Sequence, residues 1–508
     1  MSSNPPKLMQ DIVNYLAGRG SLIVLGFITF PILTRLLSVE AYGVVSLTFR
    51  LVLLLVVLSK CGLQYSAARF FRATDSDTAE QRRFYSTLLL CPVQISLVVS
   101  LIYVAILLCN TSIRHDTLLF HCLLLAPGVV LLRTVQSMLL SFLRNEGRSR
   151  AHTIAEVATK LTTVVALVTL ALAGQHRAFP VLLGTLAGES AVVAFQLQSV
   201  LQRGLIRFGA IDWELIRQSL LFGVPLIVYE LSSLVLDSAD RLIVQRYLGD
   251  HSLGIYSAAY GISGYVQDTV MTPLNLALFP VYMRIWNEQG RDETIRFLSN
   301  ALSWFLVLAL FIIGASWLSA KDALILLASR RFLGADQLLM ILVPALMIYA
   351  LHIFLNVGLI LEKRTTMLAL IAAFSAVVNI AANVYWIPRI GLTGAALATL
   401  VSYLAMIAGL LIVNRKILPL QLKWPLVVSG TLAMLLSYPL PTFLHARMSM
   451  VTLVGRNTLY SLLFVICLLL FSAEFRGLVQ QSRVRFLWVR RKNWAAMMPA
   501  RSTVGGSE

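Results

Sequence analysis

Fourteen stretches of this chain are apolar over the length of a membrane crossing, at roughly residues 12–33, 42–63, 85–109, 118–140, 153–173, 180–201, 219–237, 253–280, 298–318, 338–360, 367–387, 392–413, 424–444 and 456–473. A helix needs about 20 predominantly apolar residues to cross the hydrocarbon core, and only helices or closed barrels satisfy their backbone polar groups there. The expected fold class is therefore an all-α integral membrane protein with about 14 transmembrane helices. A water-soluble enzyme is excluded by composition as well. Only 13% of the 508 residues are charged and 58% are hydrophobic, whereas soluble domains carry about 25% charge. Connecting segments are short, so no sizeable extramembrane domain fits between spans. The exception is the stretch after the last span, made basic by Arg483, Arg485, Arg490, Arg491 and Lys492.

The first apolar run carries Arg19 in its interior and is longer than the apolar core of a secretory signal, so it reads as an uncleaved first span. Cys61, Cys91, Cys109, Cys122 and Cys467 are odd in number, irregularly spaced and embedded in apolar runs. They read as small buried hydrophobes rather than a disulfide framework or a metal site. The formal charge of +18 first suggests an anionic partner. Its distribution narrows that reading. The N-terminus, the C-terminal tail and the loops after even-numbered spans hold 26 Lys and Arg, against 10 in the loops after odd-numbered spans. By the positive-inside rule both termini lie in the cytoplasm. Much of the charge is therefore topological, and no nucleic-acid partner is implied.

A repeat organises the spans. Arg35-Leu-Leu-Ser-Val-Glu-Ala-Tyr-Gly43-Val-Val-Ser46 follows the first span, and Arg246-Tyr-Leu-Gly-Asp-His-Ser-Leu-Gly254-Ile-Tyr-Ser257 follows the seventh. Arg, Leu, Gly and Ser recur at an offset of about 211 residues, six spans apart, so the two halves keep one orientation: a parallel repeat. The expected organisation is an N-terminal lobe over 1–218 (helices 1–6) and a C-terminal lobe over 219–414 (helices 7–12). Two further helices over 415–475 and a basic cytoplasmic tail over 476–508 complete it. Transporters commonly place their substrate between such lobes.

Ionisable residues inside the spans point to that site. Arg19, Arg50, Arg133 and Lys160 lie within the first, second, fourth and fifth spans. A central cation facing lipid costs about 2.5–3.5 kcal/mol on insertion scales, so four of them are expected to face a wet lumen or a partner. Arg133 begins a polar stripe with Gln136, Ser137 and Ser141 at helical spacing. Arginine's planar fork suits phosphate oxygens. Lys60, at a span end, is expected to snorkel to the interface. Glu156 and Lys160 are i,i+4, and either neutralise each other or share the lumen. In the second half, Glu230, Ser233, Asp237 and Asp240 follow near-helical spacing with Arg241 beside the last, and Tyr256, Tyr260, Ser263 and Gln267 precede Asp268. Glu230, Asp237 and Asp268 are candidates either for coupling a proton or sodium ion or for ion pairing with the opposite lobe. Asn379 and Asn383 read as interhelical hydrogen bonding. Pro225, Pro273 and Pro344 lie inside spans and are expected to mark bends.

Enzyme signatures are absent from the sequence. There is no H-E-x-x-H, no H-x-x-x-H, no G-x-x-x-x-G-K-[ST] and no external loop long enough to hold paired catalytic carboxylates. The expectation is a protein that is not an enzyme and holds no cofactor.

The segment Phe30-Pro-Ile-Leu-Thr-Arg-Leu-Leu-Ser-Val-Glu-Ala-Tyr-Gly43 resembles the hallmark after the first helix of the oligosaccharide-lipid flippases, the Wzx-type members of the multidrug/oligosaccharidyl-lipid/polysaccharide superfamily. Gly223-Val-Pro-Leu226, Asp240-Arg241, Leu248-Gly249 and Leu253-Gly-Ile-Tyr-Ser-Ala-Ala-Tyr260 resemble its second-half pattern, and Gly391-Leu-Thr-Gly-Ala-Ala-Leu-Ala-Thr399 the entry to its twelfth helix. The resemblance implies two MATE-like six-helix lobes. It also implies an undecaprenyl-diphosphate-linked oligosaccharide as substrate, carried from the cytoplasmic to the periplasmic leaflet of the bacterial inner membrane by alternating access. Such transport serves surface polysaccharides, exopolysaccharide or the O-antigen of lipopolysaccharide, with membrane lipid and polysaccharide polymerase or assembly proteins as partners. A cationic central cavity is implied too, to which Arg19, Arg50, Arg133 and Lys160 are matched by chemistry and span. The rival readings are a cation-coupled multidrug exporter of the same superfamily and a membrane glycosyl polymerase or ligase.

Overall fold

The computed structural model describes residues 5–71, 78–172, 178–207, 209–443 and 450–480. Every regular element among them is helical. The first spans are α1 (Pro5–Leu36), α2 (Val39–Lys60), the short α3 (Leu63–Phe70) and α4 (Thr78–Cys109). Then come the short α5 (Thr111–His115), α6 (Thr117–Leu124) with α7 (Ala126–Asn145), α8 (Ser149–Leu172) and α9 (Ala178–Gln202). The second half holds α10 (Trp213–Glu288), α11 (Arg291–Leu327), and α12 (Ala335–Ala350) continued by α13 (His352–Leu355) and α14 (Val357–Leu361). It closes with α15 (Thr365–Ile390), α16 (Leu392–Ile417), α17 (Trp424–Ser437), α18 (Pro439–Thr442) and α19 (Met450–Phe471).

Local sequence sets the boundaries that matter for the site. Ser38 caps α2, its Oγ accepting from the Ala41 amide at 3.1 Å, and Glu40 in the first turn complements the helix dipole. At the other end Cys61 and Gly62 both take left-handed backbone angles, which ends α2 and turns the chain into α3. Asp116 caps α6 in the same way, accepting from the Leu119 amide at 3.0 Å.

Twelve helices among the described residues are long and apolar enough to cross a membrane, or thirteen with the bent α10 counted as one. The difference from the fourteen expected lies wholly in α10. Its 76 residues run through both the seventh and the eighth expected spans, and at 1.5 Å per residue they far exceed one bilayer. Gly249, with φ 78° and ψ −179°, breaks it into limbs 213–248 and 250–288. A second bend of 49° falls between Val224 and Leu226, at the position of Pro225.

The chain forms two compact units, Met1–Glu288 with Ala320–Pro419 and Gln289–Ser319 with Leu420–Glu508. In the first unit, Val52, Leu55 and Val56 of α2 pack on Ala126, Val129 and Val130 of α7. In its second half, Tyr260 meets Tyr403 hydroxyl to hydroxyl at 2.9 Å, and Asn379 donates to Ser402 at 3.1 Å, joining α15 to α16. The second unit has its own core. Val307, Leu426, Tyr460 and Phe464 are buried together, Phe311 stacks on Tyr460, and Asn457 donates to Ser319 at 2.6 Å. The basic residues after Gln480 lie outside the described residues.

Candidate functional site

The two halves of the first unit meet along α2 and α10, and this seam carries a charge pair at three levels. At one end Glu40 contacts His251 at 2.6 Å. Ten residues along, Arg50 pairs with Asp237. Ten further, Lys60 pairs with Glu230 at 3.4 Å, and Gln64 and Tyr65 donate to the same carboxylate at 2.9 and 3.1 Å. Ten helical residues rise about 15 Å, so the three pairs divide roughly one bilayer thickness.

Glycines let the backbones approach at both ends. A Cβ on Gly43 would stand 2.7 Å from the Gly254 nitrogen, and one on Gly254 would collide with the Val39 carbonyl. These are the paired glycines of the sequence repeat, and Glu40 and His251, also 211 residues apart, occupy equivalent repeat positions. The repeat thus meets itself at this end. At the opposite end a Cβ on Gly62 would lie 2.9 Å from the Gly223 Cα. Asp250, beside the Gly249 break, carries a carboxyl pushed up to about 6 by burial first and then by the neighbouring Asp116.

Between these closures lies a cavity of about 630 Å³, walled by α1, α2, α7, α8 and α9 on one side and by α10 on the other. Three of the four cations singled out from the sequence line it: Arg50, Arg133 and Lys160. Arg133 makes a two-pronged contact with Glu189 of α9, Nη2 to Oε1 at 2.7 Å and Nε at 3.1 Å to each oxygen, while its guanidinium lies 5.1 Å from the Phe49 ring. Lys160 sits in the field of that same pair. Glu156 turns to His152 at 3.7 Å, and Gln136 donates to Thr159. Arg19 is exposed on α1 and is not among the lining residues, though its charge reaches Asp268, which is. Glu230 is not; it belongs to the Lys60 end of the seam.

Three points differ from the sequence expectation, the first being Arg19, which was expected in the lumen and is not among the lining residues. Lys60 does not snorkel: it is 9% exposed and turned inward to Glu230, because a seam partner rather than lipid surrounds its end of α2. Glu189 was not anticipated at all, although it is 2% exposed and holds Arg133. A lone carboxylate inside the sixth apolar run was the signal available, since membrane cost applies to acids as it does to cations.

At the α10 wall of the cavity a second charged cluster is buried, and its Arg241 reaches the lining. Asp240 and Arg241 are 0% and 1% exposed. Tyr256 donates to Asp240 at 2.5 Å, Thr399 donates to it at 3.4 Å, and Arg241 lies over the Tyr260 ring at 4.2 Å while donating to the Asp237 carbonyl. Buried charges need this degree of pairing to be tolerated.

A repeat in the sequence, a helix broken at Gly249 and a charged cavity between the two halves of the first unit describe a two-lobed, all-helical membrane fold. The solved structures agree. The lipid II flippase MurJ in an inward closed conformation superimposes with a TM-score of 0.71 at 14% identity, covering 93% of this chain and 100% of that one. An inward-facing MATE-family multidrug resistance transporter gives 0.59 at 16% identity, over 80% of this chain and 98% of its own. The outward-facing form of a MATE-family transporter gives 0.55 at 14% identity, over 81% and 96%. No curated protein matches by sequence. The chain belongs to the polysaccharide biosynthesis protein family, which it matches over residues 8–286, more than half of its length.

Proposed function

We propose that this protein is a flippase for an undecaprenyl-diphosphate-linked oligosaccharide, moving the unit from the cytoplasmic to the periplasmic leaflet of the bacterial inner membrane for surface polysaccharide synthesis. It works by transport rather than catalysis, with both termini in the cytoplasm as the loop charges favour. The observation that carries the reading is the Arg50–Asp237 pair, which joins the two walls of the central cavity. Before substrate arrives, Asp237 keeps Arg50 neutralised. A diphosphate offers the guanidinium a stronger bidentate partner, with Arg133 and Lys160 on the same wall. Substrate binding therefore releases the wall-to-wall contact and leaves Asp237, with Asp268 nearby, free to take a proton or sodium ion. Binding and rocking are coupled through one exchange of partners. The prenyl chain remains in lipid, and the two ends of the α2–α10 seam alternate as the closed end. Handing the product to a polysaccharide polymerase or assembly protein would follow on the periplasmic side.

The acids on the α10 wall favour a second reading, a cation-coupled exporter. Deleting the gene separates the two. The flippase reading expects a diphosphate-linked oligosaccharide to accumulate in the cytoplasmic leaflet with loss of surface polysaccharide. An exporter would instead leave the polysaccharide intact and sensitise the cell to cationic drugs.

A further inference from the structure

A second cavity, of about 460 Å³, lies within the first half between α7, α8 and α9, toward their ends near residues 143–151 and 203. It shares no described lining residue with the central cavity. Its wall is apolar, formed by side chains such as Phe142, Ile154 and Phe195, and the last two are 67% and 75% exposed. The pocket therefore opens sideways to the surface that lipid would cover. Its polar features are concentrated at one mouth, where Arg148 and Arg203 flank Glu146 at 3.6 and 3.1 Å and Tyr85 donates to Glu146 at 2.7 Å.

One group inside has no structural use. Gln196 is 8% exposed, lines the pocket, and neither its Nε2 nor its Oε1 has a hydrogen-bond partner. A buried amide left unsatisfied in an apolar pocket is costly and calls for an explanation. It is satisfied by a ligand that brings a carbonyl or hydroxyl past an apolar chain. Two arginines against one carboxylate leave a net positive mouth, which suits a phosphate outside that carbonyl. These arginines lie in the loops after the fourth and sixth spans, which the charge bias assigns to the cytoplasmic side.

We propose that this pocket holds a resident anionic phospholipid of the cytoplasmic leaflet, its phosphate at Arg148 and Arg203, an ester carbonyl accepting from Gln196 Nε2, and an acyl chain along Ile154 and Phe195. A sugar-bearing diphosphate lipid does not suit the pocket, because it shares no described lining residue with the central cavity and its polar surface is confined to the few groups at the mouth and Gln196.

The test is native mass spectrometry of the full-length protein in detergent, titrated with phosphatidylglycerol, phosphatidylethanolamine or undecaprenyl phosphate. Phosphatidylglycerol is expected to bind about tenfold more tightly than phosphatidylethanolamine, and Arg148→Ala with Arg203→Ala to remove that preference. Ala191→Trp, at the exposed rim, should abolish the tight adduct. Gln196→Leu should raise the melting temperature of the delipidated protein while cancelling the further rise that phosphatidylglycerol gives, a pairing that a purely structural glutamine would not produce. Unchanged phosphatidylglycerol binding in Ala191→Trp and Gln196→Leu would overturn the site. A preference for undecaprenyl phosphate over phosphatidylglycerol that these variants abolish would overturn the occupant.

Discussion

The two walls of the central cavity carry opposite charge. The first-half wall presents Arg50, Arg133 and Lys160 against Glu156 and Glu189. On the other side α10 contributes Asp268 and Arg241 to the lining, with Asp237 and Asp240 paired to the arginines. One wall has an excess of cation and the other an excess of carboxylate. The difference teaches that the cavity is not a simple cationic sink. On the proposed flippase reading, an anionic substrate would have to displace carboxylates already in place, and the pairs would set part of the energy of binding.

The largest effects should come from breaking the cationic side. Arg50→Ala is expected to abolish surface polysaccharide with the protein still in the membrane, and Arg50→Lys to retain about a tenth of the activity, because a point charge cannot replace the fork. Flipping measured in proteoliposomes checks both, and full activity of Arg50→Ala would remove Arg50 from the site. A comparable loss, reversible by reductant, is expected when Glu40→Cys and His251→Cys are combined and oxidised, since that disulfide locks one end of the seam shut. Transport unaffected by the lock would show that this end need not open.

Arg133 and Glu189 sharpen the comparison in stability rather than transport. Arg133→Ala leaves a nearly buried carboxylate unpaired, at a cost of about 3 kcal/mol, whereas Glu189→Gln leaves an amide that still hydrogen-bonds and should cost less than half of that. Thermal unfolding in detergent orders the two, and the reverse order would mean that Glu189 is not the residue stabilising Arg133.

The smallest effect is a pH dependence at the Gly43 end. Because the Asp250 carboxyl is raised to about 6, the closed arrangement binds its proton more readily than an open or unfolded one. Closure is thus favoured below that value and weakens as pH rises through it, when the Asp250 carboxylate forms beside Asp116 and Glu40. Spin labels at His115→Cys and Ser252→Cys should read a shorter mean distance at pH 5 than at pH 7.5, and Asp250→Asn should flatten most of that change. A distance independent of pH would remove Asp250 from the closure.

Much of the fold was legible because membrane crossing imposes a length and a composition on every span, and twelve of the fourteen stretches stand as separate helices. The two inside α10 were harder to separate, since the chain stays helical up to a single glycine. The cavity was legible only in part. Arg50, Arg133, Lys160 and Asp268 stood out as charges too expensive to leave in lipid. Asp237 and Glu230 stood out as candidates for ion pairing across the lobes, but which cation each meets did not: Arg50 and Asp237 are 187 residues apart and Lys60 and Glu230 are 170 apart. Such pairings are set by how the halves pack, which no local spacing records. Lys60 was misjudged for the same reason, since snorkelling presumes lipid where α10 lies instead.

The central claim is that Arg50 serves the substrate and not merely Asp237. The double variant Arg50→Ala with Asp237→Asn removes both charges and leaves no unpaired carboxylate behind. If Arg50 takes the diphosphate, flipping of the lipid-linked oligosaccharide in proteoliposomes stays lost in the double variant, as it is in Arg50→Ala alone. If flipping returns to the wild-type rate, Arg50 is only the counter-ion of Asp237, and the account is wrong.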